Sequence, residues 1–490
     1  MADAGTRRGS PGRGDLTQGP IGSTLLKFAL PTLASSILQS LNGTINAIWV
    51  GRFLGEGALA ATSNANMVMF LLTAFVFGFG MASTILIGQA WGRKEVEGAR
   101  LVFGTATGSF LLVTIAVAIA GYFLSPAILH LLGTPGDAAP LALAYLRVIF
   151  LAMPAILLLT LSMMALRGAG DSLTPLWFML VAVALDSGLN PVFIVGLGPA
   201  PKLGIAGSAT ATLIANYTAL LLLVTYIYLK DLPLRLRGRE LRFLFPDPSV
   251  LKTIIVKGFP MGIQMIVISM SALALVGMVN REGVDTTAAF GVAMQLWTYV
   301  QMPAMALGAA VSAMAAQNIG ANRWDRVGVI TRTGIMQSIA ITGTLIVLLT
   351  LADRTVLALF MGPGSPALPI ARHIHVLATW NFLLFGVMMV LIATVRANGA
   401  VWAPLIILAI GLVPVRFGWI FLTHKWLGAD ALWTSFPVSS GMNLAMAVAY
   451  YLQGGWKNAH MRVEELPCAD ECIEDAEATR EPGGALNPAG

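Results

Sequence analysis

The chain has 490 residues, 57% of them hydrophobic and only 11% charged. A soluble chain carries about 25% charged residues, so a large water-soluble domain is excluded, and the mean hydropathy of +0.78 indicates a polytopic membrane protein. The net charge of +6 does not indicate a nucleic-acid partner, because the basic residues stand in short loops between apolar spans, where they set topology.

Residues 1–23 are rich in Gly, Pro and Arg and read as a disordered tail. No short apolar region with a small-residue cleavage site follows Arg7-Arg8, so an export signal is not supported. Twelve apolar stretches come next, at 24–50, 58–90, 99–125, 138–166, 173–197, 204–229, 250–280, 286–318, 327–352, 366–395, 402–424 and 430–453. Each is near or above the roughly 20 residues needed to cross a bilayer, which predicts an all-α polytopic membrane protein with twelve transmembrane helices. Residues 454–490 are polar and acidic and read as a second disordered tail. Its Cys468 and Cys472 are read as incidental thiols, since a lone C-x-x-x-C is a poor metal signal.

Lys and Arg concentrate on the side that holds the N-terminus: Arg93, Lys94 and Arg100, then Arg167, then the run from Lys230 to Lys252, then Arg323, Arg326 and Arg332, then Arg396. The other side holds Arg52, Lys202, Arg281, Arg354 and Lys425. The expectation is a plasma (inner) membrane protein with both termini in the cytoplasm.

The chain also repeats itself. Arg167, Gly170 and Pro175 in LRGAGDSLTP fall on Arg396, Gly399 and Pro404 in VRANGAVWAP, each 229 residues apart (396 − 167, 399 − 170, 404 − 175). Pro31 in FALP and Pro260 in KGFP are 229 apart, and Gln89 in IGQAWGR and Gln317 in AAQNIGA are 228 apart. Six spans per copy is an even number, so both copies run the same way through the membrane. They are expected to form two six-helix lobes, 24–229 and 250–453, related by a pseudo-two-fold axis along the membrane normal. The basic linker 230–249 either lies on the anionic inner leaflet or serves only as a topogenic loop.

One carboxylate stands inside a span. Asp186 has Pro175 11 residues before it and Leu197 11 after, roughly 16 Å at about 1.5 Å per residue. A charge at that depth usually faces a polar cavity. Such a carboxylate either takes up a proton or ligates Na⁺ with neutral oxygens, unless it is ion-paired for structure. Asn190, at i+4, shares its face, and Pro191 predicts a kink there. Thr212 and Asn216 in the sixth span reach a similar depth, and Asn42 and Asn46 lie in the outer part of the first. Arg416 is the other costly residue. It either faces inward, toward an anionic cargo or Asp186, or snorkels to the interface. Gln264, Gln295 and Tyr299 are candidates to line a substrate cavity in the second lobe, with packing as the alternative. Met294, Trp297, Met302 and Met305 read either as an adaptable wall or as packing. His373 and His375, two apart, point to different helix faces and make a poor metal pair.

At VGRFLG (50–55), IGQAWGR (87–93), LRGAGDS (166–172), NPVFIVGLG (190–198) and LGIAGSATAT (203–212), with echoes AAQNIG and VRANG, the chain resembles the MATE (multidrug and toxic compound extrusion) family over about residues 20–455. The resemblance implies two lobes in a V shape and export of drugs or metabolites in exchange for protons or sodium ions. It places a cation site on helices one, five and six. The family's helix-one Asp is Asn46 here, and its helix-five order, Asn then Asp before Pro, is reversed to Asp186, Asn190, Pro191. A second-lobe site known in some members needs carboxylates that spans 250–280 and 366–395 lack.

The expected function is thus a cation-coupled antiporter working by alternating access, with Asp186, Asn190, Asn46, Thr212 and Asn216 at the H⁺ or Na⁺ site and Arg416, Gln264, Gln295 and Tyr299 at the cargo. A lipid-linked precursor flippase is the alternative. An enzyme is not expected, since acid–base or metal chemistry normally needs two or more convergent groups. No cofactor, metal or nucleic acid is expected. The expected partners are a small-molecule cargo and membrane lipids, and the expected state is a monomer.

Overall fold

The computed structural model describes residues 14–131, 139–198, 201–362 and 364–461, and these are mostly helical, with no strand among the described residues. Nine long helices come first: α1 (Ile21–Leu54), α2 (Glu56–Gly92), α3 (Val96–Leu131), α4 (Ala139–Gly168), α5 (Leu173–Val195), α6 (Ile205–Leu229), α7 (Pro248–Val279), α8 (Val284–Gly320) and α9 (Trp324–Leu351). A short α10 (Asp353–Met361) comes after them, where the sequence reads as a loop. The tenth span is a pair, α11 (Leu368–Ala378) and α12 (Asn381–Ala397), bent by 43° at their junction. The eleventh is also composite: α13 (Trp402–Ile410), a π-helical turn Gly411–Val415, and α14 (Arg416–Leu427). The last span is α15 (Asp430–Gln453). The protein is an all-α polytopic membrane protein of twelve spans in two six-helix lobes.

Local sequence sets the helix ends. Asp247 caps α7, its Oδ1 accepting from the backbone of Ser249 and Val250 at 2.9 and 3.0 Å, with Pro248 as first residue. Asp171 of LRGAGDS does the same for α5 through Leu173 and Thr174, both at 3.0 Å. The α4 and α12 motifs each end on a glycine with positive φ, Gly170 at 88° and Gly399 at 92°. Pro191 lies inside α5, which continues as one helix to Val195.

Each lobe wraps around one buried helix. In the first, α4 packs on α2, α3 and α6; in the second, α12 packs on α8, α9 and α15. The contacts repeat with the chain: α5 on α6 answers α14 on α15, and α1 on α5 answers α7 on α13. Between lobes, α2 packs on α7 and α8, and α1 on α8. Lipid tails give helices no hydrophobic reason to associate, so close packing must do it, and small residues allow that approach. A Cβ at Gly92 would lie 1.9 Å from Gln317 O, and one at Gly320 would lie 2.1 Å from Gln89 O. The ends of α2 and α8 thus meet backbone to backbone at the terminal face, the face that carries both described chain ends.

The described ends of the two tails depart from the expected disorder. Leu16 is buried, its N–H donates to Gln317 Oε1 at 2.9 Å, and its carbonyl accepts from Asn318 Nδ2. At the other end Trp456 and Met461 are buried, and Asn398 Nδ2 donates to the Trp456 carbonyl at 2.9 Å. Apolar Leu16, Trp456 and Met461 have places in the packed terminal face that outweigh the polar composition around them. Residues 1–13 and 462–490, with Cys468 and Cys472, lie outside the described residues. In the linker, Leu232, Leu234 and Leu236 are buried while Arg237 and Arg239 are exposed, so the Leu and Arg residues sort to opposite sides of it. Arg100 of α3 anchors it through Glu240 at 2.7 Å.

Candidate functional site

Asp186 sits in the far half of α5, nine residues before its end at Val195, or about 14 Å along the axis. It is 1% exposed. Four neutral side chains from three helices donate to its carboxylate. Asn42 and Asn46 of α1 reach Oδ2 with Nδ2 at 2.8 and 3.0 Å. Asn190 Nδ2 and Thr212 Oγ1 reach Oδ1 at 3.2 and 3.0 Å. Asn190 also donates to Asn46 Oδ1 at 2.8 Å, closing the ring. The periodicities explain the convergence: 42 and 46, like 186 and 190, are one turn apart and share a face. No cationic side chain pairs with Asp186 among the described residues.

Two acceptors beside this carboxylate, Asn42 Oδ1 and Asn190 Oδ1, are enclosed and accept from no donor among the described residues. With Asp186 and Thr212 they form an all-oxygen set, the kind that suits a hard cation once amides turn their oxygens inward. Among the described residues no group of three or more His, Cys, Asp or Glu is placed to hold a metal ion.

Other singled-out residues lie elsewhere. Asn216 lies one turn beyond Thr212 and donates to its carbonyl at 2.8 Å, not to Asp186. Arg416 is buried and turned toward α15, where Nη2 donates to Ser439 Oγ at 3.1 Å. Gln264 is buried against Arg396, which donates to it at 3.4 Å. Gln295 and Tyr299 bond each other at 3.4 Å on an exposed face of α8. Trp297 and Met302 are buried while Met294 and Met305 are exposed, so the stripe splits between packing and surface. His373 pairs with Asp430 at 2.8 Å and His375 bonds Thr379, on different faces.

One neighbour of the site escapes sequence reasoning. Tyr145 of α4 is buried and lies within electrostatic range of Asp186. A lone Tyr near a helix end gives no signal of its own, because such residues are common at membrane interfaces.

The MatE family model matches residues 31–192 and again 260–421, so both starts and both ends are 229 residues apart (260 − 31, 421 − 192). The chain is 38% identical over 432 residues to the probable multidrug resistance protein YoeA of Bacillus subtilis (strain 168), covering 88% of this chain and 93% of that protein. It is 22% identical over 450 residues to the probable multidrug resistance protein NorM of Thermotoga maritima, covering 90% and 95%. The outward-facing conformation of a multidrug resistance MATE family transporter of the MOP superfamily matches with a TM-score of 0.81 at 20% identity, covering 91% of this chain and 98% of that one. Family match, relatives and fold agree: the chain belongs to the MATE family, and it is a multi-pass membrane transporter rather than an enzyme.

Proposed function

We propose that the chain is a plasma-membrane antiporter that exports drugs or metabolites by alternating access, with Asp186 as the main coupling-ion site for H⁺ or Na⁺. The observation that carries this is the Asp186 carboxylate, held by Asn42, Asn46, Asn190 and Thr212 and by no cation of the described residues. Hydrogen bonds to a charged group are worth about 1.5–3 kcal/mol, against about 0.5–1.5 for neutral pairs. Neutralising Asp186 therefore loosens two of the three bonds that tie α1 to α5. Sodium acts differently, drawing amide oxygens inward. Either way the cation changes how α1 is held, and only such differential interaction can shift the balance of lobe states.

Topology supplies the direction. The excess of Lys and Arg on the terminal face supports a cytoplasmic position for it. The close approach of Gly92 to Gln317 and of Gly320 to Gln89 lies at that face, which supports a cavity open to the outside. The chain acts as a monomer, 24–229 and 250–453 being its two moving lobes.

The test is cargo efflux from proteoliposomes under an imposed pH gradient, then under an imposed sodium gradient. Asp186→Asn is expected to fold and to lose gradient-driven efflux. Undiminished efflux by a well-folded Asp186→Asn protein would remove Asp186 from the mechanism.

A further inference from the structure

The two lobes are alike in plan but opposite in charge at equivalent places. By the 229-residue offset, Asp186 corresponds to Val415 and Ser187 to Arg416 (186 + 229, 187 + 229). The eleventh span, however, does not copy α5. α5 is α-helical from Leu173 to Val195, whereas α13 passes through the π-helical turn Gly411–Val415 before α14 resumes at Arg416. A π turn accommodates about one residue more than an α turn, so it rotates the helix beyond it by one residue's angular step. Arg416 is thereby brought to the helix face that Asp186 occupies in α5. Their neighbours correspond as well: Asp186 meets α6 through Thr212, and Arg416 meets α15 through Ser439.

Arg416 is 8% exposed and lies 11 residues before the end of α14 at Leu427, about 17 Å of helix. A cation there costs at least a few kcal/mol and needs an offset. Little in the protein supplies one. A guanidinium has five N–H donors, and among the described residues one of them is bonded, to Ser439 Oγ at 3.1 Å. Nε is enclosed without an acceptor, and no carboxylate pairs with the group among the described residues. The guanidinium lies over Phe436, 4.7 Å from the ring centroid, and Phe436 is fixed against Trp297 at 4.9 Å. Cation–π contact adds about 2 kcal/mol when desolvated but accepts none of the remaining N–H groups. Snorkelling would leave the head exposed, and here the head is enclosed with donors to spare.

We propose that Arg416, steadied by Phe436 and Ser439, is an anion subsite that receives the carboxylate or phosphate group of the cargo. The planar guanidinium fork matches the spacing of two oxygens on either group. The proposal rests on the exporter reading and gives its cargo a chemistry: an organic anion or zwitterion, taken by the second lobe while the first takes the cation.

The test is equilibrium binding without any gradient, using the full chain in lipid nanodiscs and fluorescence polarisation of two dyes. Rhodamine 110 carries a free carboxylate, and rhodamine 123 is its methyl ester. The wild type is expected to bind rhodamine 110 at least tenfold more tightly. Arg416→Gln is expected to erase that preference and Arg416→Lys to keep a smaller one. Displacement of rhodamine 110 by acetate or by inorganic phosphate supports the subsite and shows which group it prefers. Equal binding, no binding of either dye, or an undiminished preference in Arg416→Gln overturns it. If Arg416→Gln fails to fold, the wild-type comparison still decides. Coupling plays no part in this measurement, so its failure and a failure of Asp186 in transport are separate results.

Discussion

The side-chain amide of Gln89, at the end of α2, crosses between lobes to donate to the backbone oxygen of Ala397, the last residue of α12, at 2.7 Å. Its repeat counterpart does the same in reverse. Gln317 Nε2, at the end of α8, donates to the oxygen of Gly168, the last residue of α4, at 3.1 Å. Both glutamines are buried, and each supplies a donor for one of the carbonyls a helix end leaves free. Replacing Gln89 by Leu strands a buried carbonyl, which costs about 1–3 kcal/mol. The expected outcome is faster hydrogen exchange at residues 395–400 in Gln89→Leu and at 166–171 in Gln317→Leu, read by mass spectrometry. Exchange unchanged in both variants would show that these bonds do not hold the lobes together.

The Asp186 ring makes a graded prediction. Thr212→Val removes one hydroxyl donor from a charged acceptor, worth about 1.5–3 kcal/mol. Coupling-ion affinity in Thr212→Val is expected to change by tenfold or more, while Thr212→Ser stays near wild type. Titrating efflux against sodium concentration, and separately against pH, checks both. Asn216→Ala, whose amide donates to the Thr212 carbonyl and not to Asp186, is expected to change neither by more than about twofold.

Glycine substitutions test the packing at the terminal face. Gly170 has φ of 88°, and a Cβ there would lie 2.0 Å from Gly14 O. Gly170→Ala therefore carries both backbone strain and displacement of the segment at residues 14–19. Strain of this kind is worth about 1–3 kcal/mol. Gly19 also has positive φ, 79°, but nothing among the described residues lies within 4 Å of its Cβ position. Thermal unfolding is expected to rank Gly170→Ala well below Gly19→Ala in stability, and equal midpoints would refute the close-approach argument.

Outside the membrane, Asp353 at the start of α10 gives a pH prediction. Burial pushes its carboxyl up, but the Arg372 guanidinium at 2.8 Å and the Arg354 backbone N–H outweigh burial and hold it below the usual carboxylate value. A depressed folded-state pKa contributes stability that is present above the unfolded value of about 3.9 and is lost as pH falls below it. Acid unfolding of the wild type is expected to steepen below about pH 4, and Asp353→Asn is expected to flatten that part of the curve.

Much of this protein is legible in order along the chain. Twelve apolar spans, the 229-residue repeat and the face shared by Asp186 and Asn190 all come from local composition and from the 3.6-residue period. The described tail ends are the exception, since Gly, Pro and charge content reads as disorder there while the residues are ordered. Composition is blind to whether Leu16, Trp456 and Met461 have somewhere to pack.

The sequence by itself determined the membrane class, the two-fold repeat and the presence of one carboxylate in a span, because burying backbone and charge in hydrocarbon leaves few alternatives. Only the tertiary structure decided which polar groups serve that carboxylate. Asn42 and Asn46 reach it and Asn216 does not, although all three lie on the right helices. Likewise only the π turn before Arg416 decided where that cation faces. Reach across a helix interface depends on crossing geometry and rotation at the ångström scale, and neither is written in residue spacing.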